Sequence, residues 1–149
     1  MAHALAAAGI ARMSHVSIET ADLDRALAFY ENIFGFQTIL QLDQKGPEFE
    51  KIVGVPGASS RMIRGLIGGV AVVQLWSHDW RPPVAEKRTL MSFEVRDVAA
   101  AYRELSAAGV SCRSEPVAFE NATAFVMLDP DNHPIEIIQW QPHTSPYGG

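Results

Sequence analysis

The sequence contains nearly the same short run twice: His-Val-Ser-Ile-Glu-Thr at residues 15–20 and Leu-Met-Ser-Phe-Glu-Val at residues 90–95. Both runs have strand-forming residues, and both carry Ser and Glu at the third and fifth places. Each is followed at once by an acidic residue, Asp22 or Asp97, whose carboxylate suits the free N–H groups at the start of a helix. An internal repeat of this kind predicts a fold built from two similar units.

Each acidic start opens an amphipathic helix. In the first copy the apolar residues recur at spacings of three or four, at Leu23, Leu27, Tyr30 and Phe34. Residues 98–108 repeat this spacing in the second copy. Each helix is expected to end at a glycine, Gly35 or Gly109, because glycine readily takes the left-handed conformation of a helix C-terminus.

Three strand-like runs follow each helix. They are predicted at residues 36–43, 61–67 and 70–77, and at residues 110–114, 123–128 and 135–141. Turn residues separate the last two strands of each copy, at Gly68-Gly69 and at residues 129–132. A longer insertion at residues 44–57, with a short helix at residues 48–53, distinguishes the first copy. The prediction is an α+β fold of two tandem βαβββ units.

The same pattern sets the predicted boundaries. Residues 13–141 form a single domain of two repeats, 13–80 and 88–141, joined by a linker at residues 81–87. Residues 1–12 are interpreted as an N-terminal extension and residues 142–149 as a flexible tail.

Composition excludes several classes of partner. The net charge is −5 and no Lys/Arg run is present, so nucleic acid is not an expected partner. Cys112 is the single cysteine, which rules out an intrachain disulfide and a Cys-based zinc site and fits a cytoplasmic setting. No apolar run reaches the roughly 18–20 residues of a membrane span. The edges of two short sheets favour pairing with another copy, so a homodimer is expected.

The duplicated βαβββ unit resembles the vicinal oxygen chelate superfamily, which includes glyoxalases, bleomycin-resistance proteins and dioxygenases. Individual segments carry the same resemblance: the opening run at residues 15–20, Ala-Phe-Tyr-Glu-Asn-Ile-Phe-Gly-Phe at residues 28–36, and Asp-Pro-Asp-Asn-His-Pro-Ile-Glu at residues 129–136. The resemblance covers roughly residues 13–141 and implies a cup-shaped mixed sheet around a divalent metal. It indicates the fold more strongly than the reaction, because one fold hosts several chemistries.

In that superfamily the metal ligands come from the first and last strands of each unit. The resemblance therefore implies His15, Gln74 and Glu136 as ligands for Mn, Fe, Co, Ni or Zn. The His15/Gln74 pair is similar to the methylmalonyl-CoA epimerase-like branch. At the fourth position this sequence has Leu90, which has no donor atom.

Leu90 leaves two interpretations open. One is an open three-ligand site whose remaining positions take water or substrate oxygens, as a catalytic metal requires. The other is a site that has lost its metal and binds its ligand by shape, as the bleomycin-resistance branch does. A lone strand histidine such as His15 is more often structural than a ligand. Gln74 and Glu136, however, each interrupt an apolar run and therefore need polar partners.

Strand alternation predicts the pocket lining. Residues two apart share a face, so Ser17 and Glu19 accompany His15, while Val72 and Trp76 accompany Gln74. Phe49 and Met62, near the ends of the insertion, are candidates for a lid. The full predicted substrate pocket consists of Ser17, Phe49, Met62, Val72, Trp76, Leu90 and Ile138. These residues suit a small-molecule site, and they equally suit a core.

The leading functional hypothesis is a metal-dependent lyase or isomerase that acts on an enolisable carbonyl compound by oxygen chelation. Glu136 and Glu19 are the candidate catalytic carboxylates that would move a proton. The first alternative is a metal-free protein that binds or sequesters a small molecule, and the second is a dioxygenase. No role is predicted for His78, at the start of the stretch 78–87 between the two copies, or for His143 in the tail, and His133 is interpreted as part of a turn.

Overall fold

The computed structural model describes residues 13–80 and 90–146. Its elements in chain order are β1 Val16–Glu19, α1 Leu23–Phe34, β2 Gln37–Lys45, α2 Pro47–Val53, β3 Ser59–Ile67, β4 Ala71–His78, β5 Met91–Glu94, α3 Val98–Ala107, β6 Val117–Ala118, β7 Ala122–Leu128 and β8 Pro134–Trp140. The predicted extension at residues 1–12, the predicted linker at 81–87 and the last three residues of the predicted tail lie outside the described residues.

The chain forms two compact units, each with its own four-stranded mixed sheet. Among the described residues, the first unit comprises 13–23 and 30–80, and the second comprises 24–29 and 90–146. The strand order is β1-β4-β3-β2 in the first sheet and β5-β8-β7-β6 in the second. In each sheet the first strand pairs in parallel with the last strand of its unit, and the other pairs are antiparallel. The predicted α+β fold with a twofold βαβββ pattern is confirmed.

The core of the first unit lies on one face of its sheet. This face carries four strand residues that are at most 5% exposed: Ile18, Ile63, Val73 and Leu75. Tyr30 of α1 is fully buried, and its ring stacks on Phe34 at 5.7 Å between centroids. Leu23 and Tyr30 of the helical stripe predicted from the sequence are therefore buried, whereas Leu27 and Phe34 are half-buried.

The second unit follows the same plan with a shorter outer edge. Its core holds Phe125, Met127, Ile135 and Ile137, and the ring of Phe125 meets that of Tyr102 of α3 edge to face. The strand predicted at residues 110–114 was wrong. That segment makes only an isolated bridge through Cys112, and the edge strand is the two-residue β6, just after Pro116. Proline has no N–H to donate, so Pro116 contributes no ladder hydrogen bond between the bridge at Cys112 and β6.

Local signals in the sequence set the helix ends as expected. Asp97 caps α3 by accepting a hydrogen bond from the Ala100 N–H at 2.8 Å. Gly35 and Gly109, which follow α1 and α3, have φ of 62° and 77°. Among the described residues, no helix combines the length and apolar character needed to cross a bilayer.

Candidate functional site

A polar row crosses the middle of the first sheet, on the face opposite the core. The parallel pairing of β1 with β4 sets Ser17 beside Gln74, and the antiparallel pairing of β3 with β4 sets Arg64 on the other side of Gln74. These three side chains share one face because directly paired residues point the same way. The row thus comes from three strands of one unit.

Gln74 is the centre of this row and is 8% exposed. Its Oε1 accepts two hydrogen bonds from the Arg64 guanidinium, from Nε at 3.2 Å and from Nη2 at 2.7 Å. Its Nε2 donates to the Ser17 hydroxyl oxygen at 3.1 Å. The polar partners that a buried glutamine requires are therefore Arg64 and Ser17.

His15 lies just before β1 and is half-buried. Its Nδ1 is 2.9 Å from the Ser14 hydroxyl. Burial lowers the pKa of His15 below its ordinary value, and the positive charge of Arg64 lowers it further. The imidazole is consequently neutral at neutral pH, and the field of Arg64 reaches it.

These donors fit a divalent cation poorly. A glutamine carbonyl oxygen has two lone pairs, and Arg64 engages the Gln74 oxygen through two N–H groups. An arginine keeps its charge in proteins, so a metal ion at this oxygen would face a fixed cation. Leu90, just before β5, offers no donor and is 46% exposed. In the described parts of the chain, no three His, Cys, Asp or Glu side chains are grouped to hold a metal.

The second sheet has a matching row with a different composition. Glu136 of β8 pairs with Ser92 of β5 on one side and with Val126 of β7 on the other. The Ser92 hydroxyl donates to Glu136 Oε2 at 2.6 Å, which gives this half-buried carboxylate a partner. Ile138 lies two residues along β8 and is also half-buried. Val126 stands where the first sheet has Arg64, so the second row has a carboxylate and no cation.

The predicted pocket residues of the first unit fall around its polar row. Val72 and Trp76 flank Gln74 at two-residue spacing on β4, and Met62 of β3 pairs with Trp76. Met62 is 2% exposed, whereas Val72 and Trp76 are half-buried. Phe49 lies on α2, where its ring centroid is 5.8 Å from that of Trp80. An apolar wall therefore borders the polar row, and the lid role of Phe49 stays a prediction.

Glu19 has a buried partner that the sequence interpretation missed. His78 was assigned to the linker without a role, but it ends β4 and its side chain is 2% exposed. Its Nε2 is 3.2 Å from Glu19 Oε1, and its ring stacks on Trp80 at 4.1 Å and tilts against Trp76 at 4.9 Å. The Glu19 carboxylate therefore lies beside a buried imidazole on the same face as Gln74.

His133, by contrast, is part of a turn, as the sequence predicted. Its Nδ1 lies 2.8 Å from Asp129 Oδ2, while Asp129 Oδ1 accepts from the backbone N–H groups of Asp131 and His133. Asp129 is 4% exposed. These contacts close the turn between β7 and β8 and give His133 a structural role.

Arg64 is the main site residue absent from the sequence-based set. A signal for it exists in the turn Gly68-Gly69: a hairpin centred there brings β3 back along β4 and sets a residue near 64 opposite Gln74. The register between β3 and β4 decides which β3 residue lies opposite Gln74, and the observed register selects Arg64. His78 could have been found by extending the predicted strand at residues 70–77 by one residue.

Replacement of Glu19 by glutamine is expected to destabilise the first unit by about 1 kcal/mol, because the buried His78 loses a charged partner. Urea unfolding followed by tryptophan fluorescence measures this change. Glu94→Gln is the matched control, since Glu94 holds the corresponding position of the repeat and is exposed. Equal stability of the two variants would show that the Glu19/His78 contact contributes nothing.

Two βαβββ units, each with a polar row across its sheet, define a protein of the vicinal oxygen chelate class. The sequence profile of the Glyoxalase/Bleomycin resistance protein/Dioxygenase superfamily matches residues 12–137, and the chain belongs to that superfamily. No curated protein is similar enough in sequence to count as a relative.

Solved structures show the same fold. A glyoxalase family protein from Bacillus cereus is 18% identical, with a TM-score of 0.76 over 89% of this chain and 95% of its own. The fosfomycin resistance protein FosX from Listeria monocytogenes is 21% identical, with a TM-score of 0.66 over 91% of this chain and 98% of its own. Another structure of that FosX, also 21% identical, holds Mn(II) and a sulfate ion, with a TM-score of 0.62 over the same shares of both chains.

Proposed function

We propose that this chain is a small-molecule binding protein of the superfamily whose first-unit site works without a metal. The observation that supports this proposal is the saturation of the Gln74 carbonyl oxygen by two N–H groups of Arg64. That oxygen was the donor expected to complete a His15/Gln74 pair. With a permanent cation bound to it, it serves to position Arg64 and not to ligate a metal ion.

The surroundings of the row suit a ligand that is partly apolar. Val72 and Trp76 border Gln74 on β4, and Met62 lies across from Trp76 on β3. Small-molecule sites commonly combine such an apolar wall with a few fixed polar groups that set orientation. In this proposal Ser17, Gln74 and Arg64 orient the ligand, and the apolar side chains provide most of the buried contact area.

A metal-dependent lyase or isomerase acting on an enolisable carbonyl compound is the second candidate. His15 favours it, because its lowered pKa keeps the imidazole in the neutral form that coordinates metals. Glu136 favours it as a half-buried carboxylate held by Ser92. In this candidate His15, Gln74 and Glu136 would hold the ion, which would polarise a carbonyl oxygen. Glu136, if displaced from the ion, or Glu19 would transfer the proton. The engaged Gln74 oxygen weighs against it.

Elemental analysis of protein purified without chelators separates the two candidates. The metal-free proposal expects Mn, Fe, Co, Ni and Zn far below one ion per chain, and no saturable heat when MnCl₂ is titrated in. Arg64→Met is expected to increase metal uptake, because it removes the cation and releases the Gln74 oxygen. Arg61→Met is the matched control, since Arg61 lies three residues earlier on β3 and its side chain is 53% exposed.

Metal bound to the wild-type protein would favour the second candidate. Near-stoichiometric metal in the wild-type protein that disappears in His15→Ala and in Glu136→Ala would contradict the metal-free proposal and support the lyase or isomerase. Circular dichroism of each variant checks that lost metal does not reflect lost folding.

A further inference from the structure

We propose that Arg64 is the anchor of an oxyanion site, and that the ligand of this protein is an organic anion carrying a carboxylate or phosphonate group on an apolar body. This inference rests on the proposed function and names the ligand class of that same site. It starts from an unusual feature of Arg64: the side chain is half-buried, yet within residues 13–80 and 90–146 it pairs with no carboxylate. A cation removed from water generally acquires a counter-charge.

The guanidinium is already held in position for such a partner. Nε and Nη2 both donate to Gln74 Oε1, so the planar group is fixed relative to β4. Arginine has five N–H donors in a rigid fork, and the two used here leave three for a ligand. A fork of this geometry matches the two oxygens of a carboxylate or the oxygens of a phosphonate. Because Gln74 orients Arg64 in advance, little side-chain entropy is lost when the anion binds.

The neighbours of Arg64 add no competing carboxylate to the row. On β4 its partner is the neutral Gln74, beyond which lies Ser17 of β1, and on β2 its partner is Leu40. Glu19 lies two residues after Ser17 on β1, on the same face, and its Oε1 is 3.2 Å from Nε2 of the buried His78. Within residues 13–80 and 90–146 the row therefore offers Arg64 no counter-charge, and in this proposal the ligand provides it.

The apolar part of the ligand is inferred from the residues that lie next to Gln74 and Arg64 on the same face of the sheet. Trp76 lies two residues from Gln74, roughly 7 Å along the strand, and pairs with Met62. A flat apolar body attached to the anionic group would extend from Arg64 over the half-buried ring of Trp76, next to the buried Met62. A neutral ligand would leave Arg64 without a counter-charge, and a purely inorganic anion would leave the apolar wall unused.

Binding of four probes tests this inference by isothermal titration calorimetry in buffer containing EDTA. The probes are benzoate, phenylphosphonate, the neutral benzamide and inorganic phosphate. We expect at least one aromatic anion to bind the wild-type protein at least tenfold more tightly than benzamide does. We expect Arg64→Met to weaken that binding about 30-fold or more, the size of one lost charge-assisted contact. Arg64→Lys should fall between the two, because lysine keeps the charge but lacks the planar fork.

Arg61→Met is again the matched control and should change binding less than about twofold, since Arg61 is an exposed residue of alternate parity on β3. Circular dichroism and thermal unfolding verify that each variant is folded, and Arg64→Lys keeps the test informative if Arg64→Met does not fold.

Three results would overturn the oxyanion site: equal binding of benzoate and benzamide, undiminished anion binding by the folded Arg64 variants, or no binding of any anion. Equal binding of benzoate and benzamide would leave the metal-free binding function standing. Conversely, stoichiometric metal in the elemental analysis would contradict the metal-free proposal. The calorimetry of the Arg64 variants would then still decide whether Arg64 binds an anion. The two proposals can therefore fail separately.

Discussion

Replacement of Gly65 by alanine is expected to lower the free energy of unfolding by about 3 kcal/mol. A Cβ at this position would clash with Phe36 Cζ and lie 2.6 Å from the Gln37 carbonyl oxygen. Phe36 is 4% exposed and cannot swing into solvent without emptying part of the core. The backbone oxygen of Gln37 belongs to β2, so relief would also require β2 and β3 to move apart.

Urea unfolding monitored by circular dichroism and tryptophan fluorescence measures this effect. Phe36→Leu provides a second-site test: it removes the ring that meets the new methyl group, so the double variant should lose less stability than the sum of the two single variants. Rescue should remain incomplete, because the contact with the Gln37 oxygen persists. A Gly65→Ala protein as stable as the wild type would show that the close packing of Phe36 on β3 is absent in solution.

Replacement of Asp129 by alanine is expected to destabilise the second unit by about 3 kcal/mol. One carboxylate oxygen of Asp129 accepts two backbone N–H groups of the β7–β8 turn, and the other lies 2.8 Å from His133 Nδ1. Since Asp129 is 4% exposed, water cannot readily replace these partners. The turn positions β8, and β8 carries Glu136.

Two further variants make this prediction specific. Asp129→Asn should cost about 1–2 kcal/mol, since an amide oxygen can still accept the backbone N–H groups while the charge beside His133 is lost. Asp43→Ala should cost less than about 0.5 kcal/mol, because Asp43 is 74% exposed and its ion pair with Arg61 is long, at 3.6 Å. Equal losses for Asp129→Ala and Asp43→Ala, measured by urea unfolding, would contradict the structural role of the buried turn.

Much of the fold could be predicted from the sequence because its signals are local. The stripe from Leu23 to Phe34 gave the bounds of α1, Asp97 capped α3, and Gly35 followed α1 with a positive φ. These features depend on residues within one or two turns of each other, and their physics is the same in any surroundings. The strand predicted at residues 110–114 was wrong because pairing depends on a partner strand far along the chain: this segment meets β7 only at Cys112, and the edge strand forms at Val117–Ala118.

The site depended on register, which only the tertiary structure decided. The predicted strands at residues 61–67 and 70–77 imply a two-residue turn, which would place Arg64 opposite Val73, on the core face of β4. The observed pairing of Ile67 with Ala71 adds one residue to that turn and places Arg64 opposite Gln74. A shift of one residue in the register moves every side chain of a strand to the other face of the sheet. Local sequence patterns predict the length of a turn only to within about one residue, so they do not decide which face Arg64 occupies. The sequence alone therefore determined most of the elements and the superfamily, whereas tertiary pairing decided that the Gln74 oxygen binds a guanidinium.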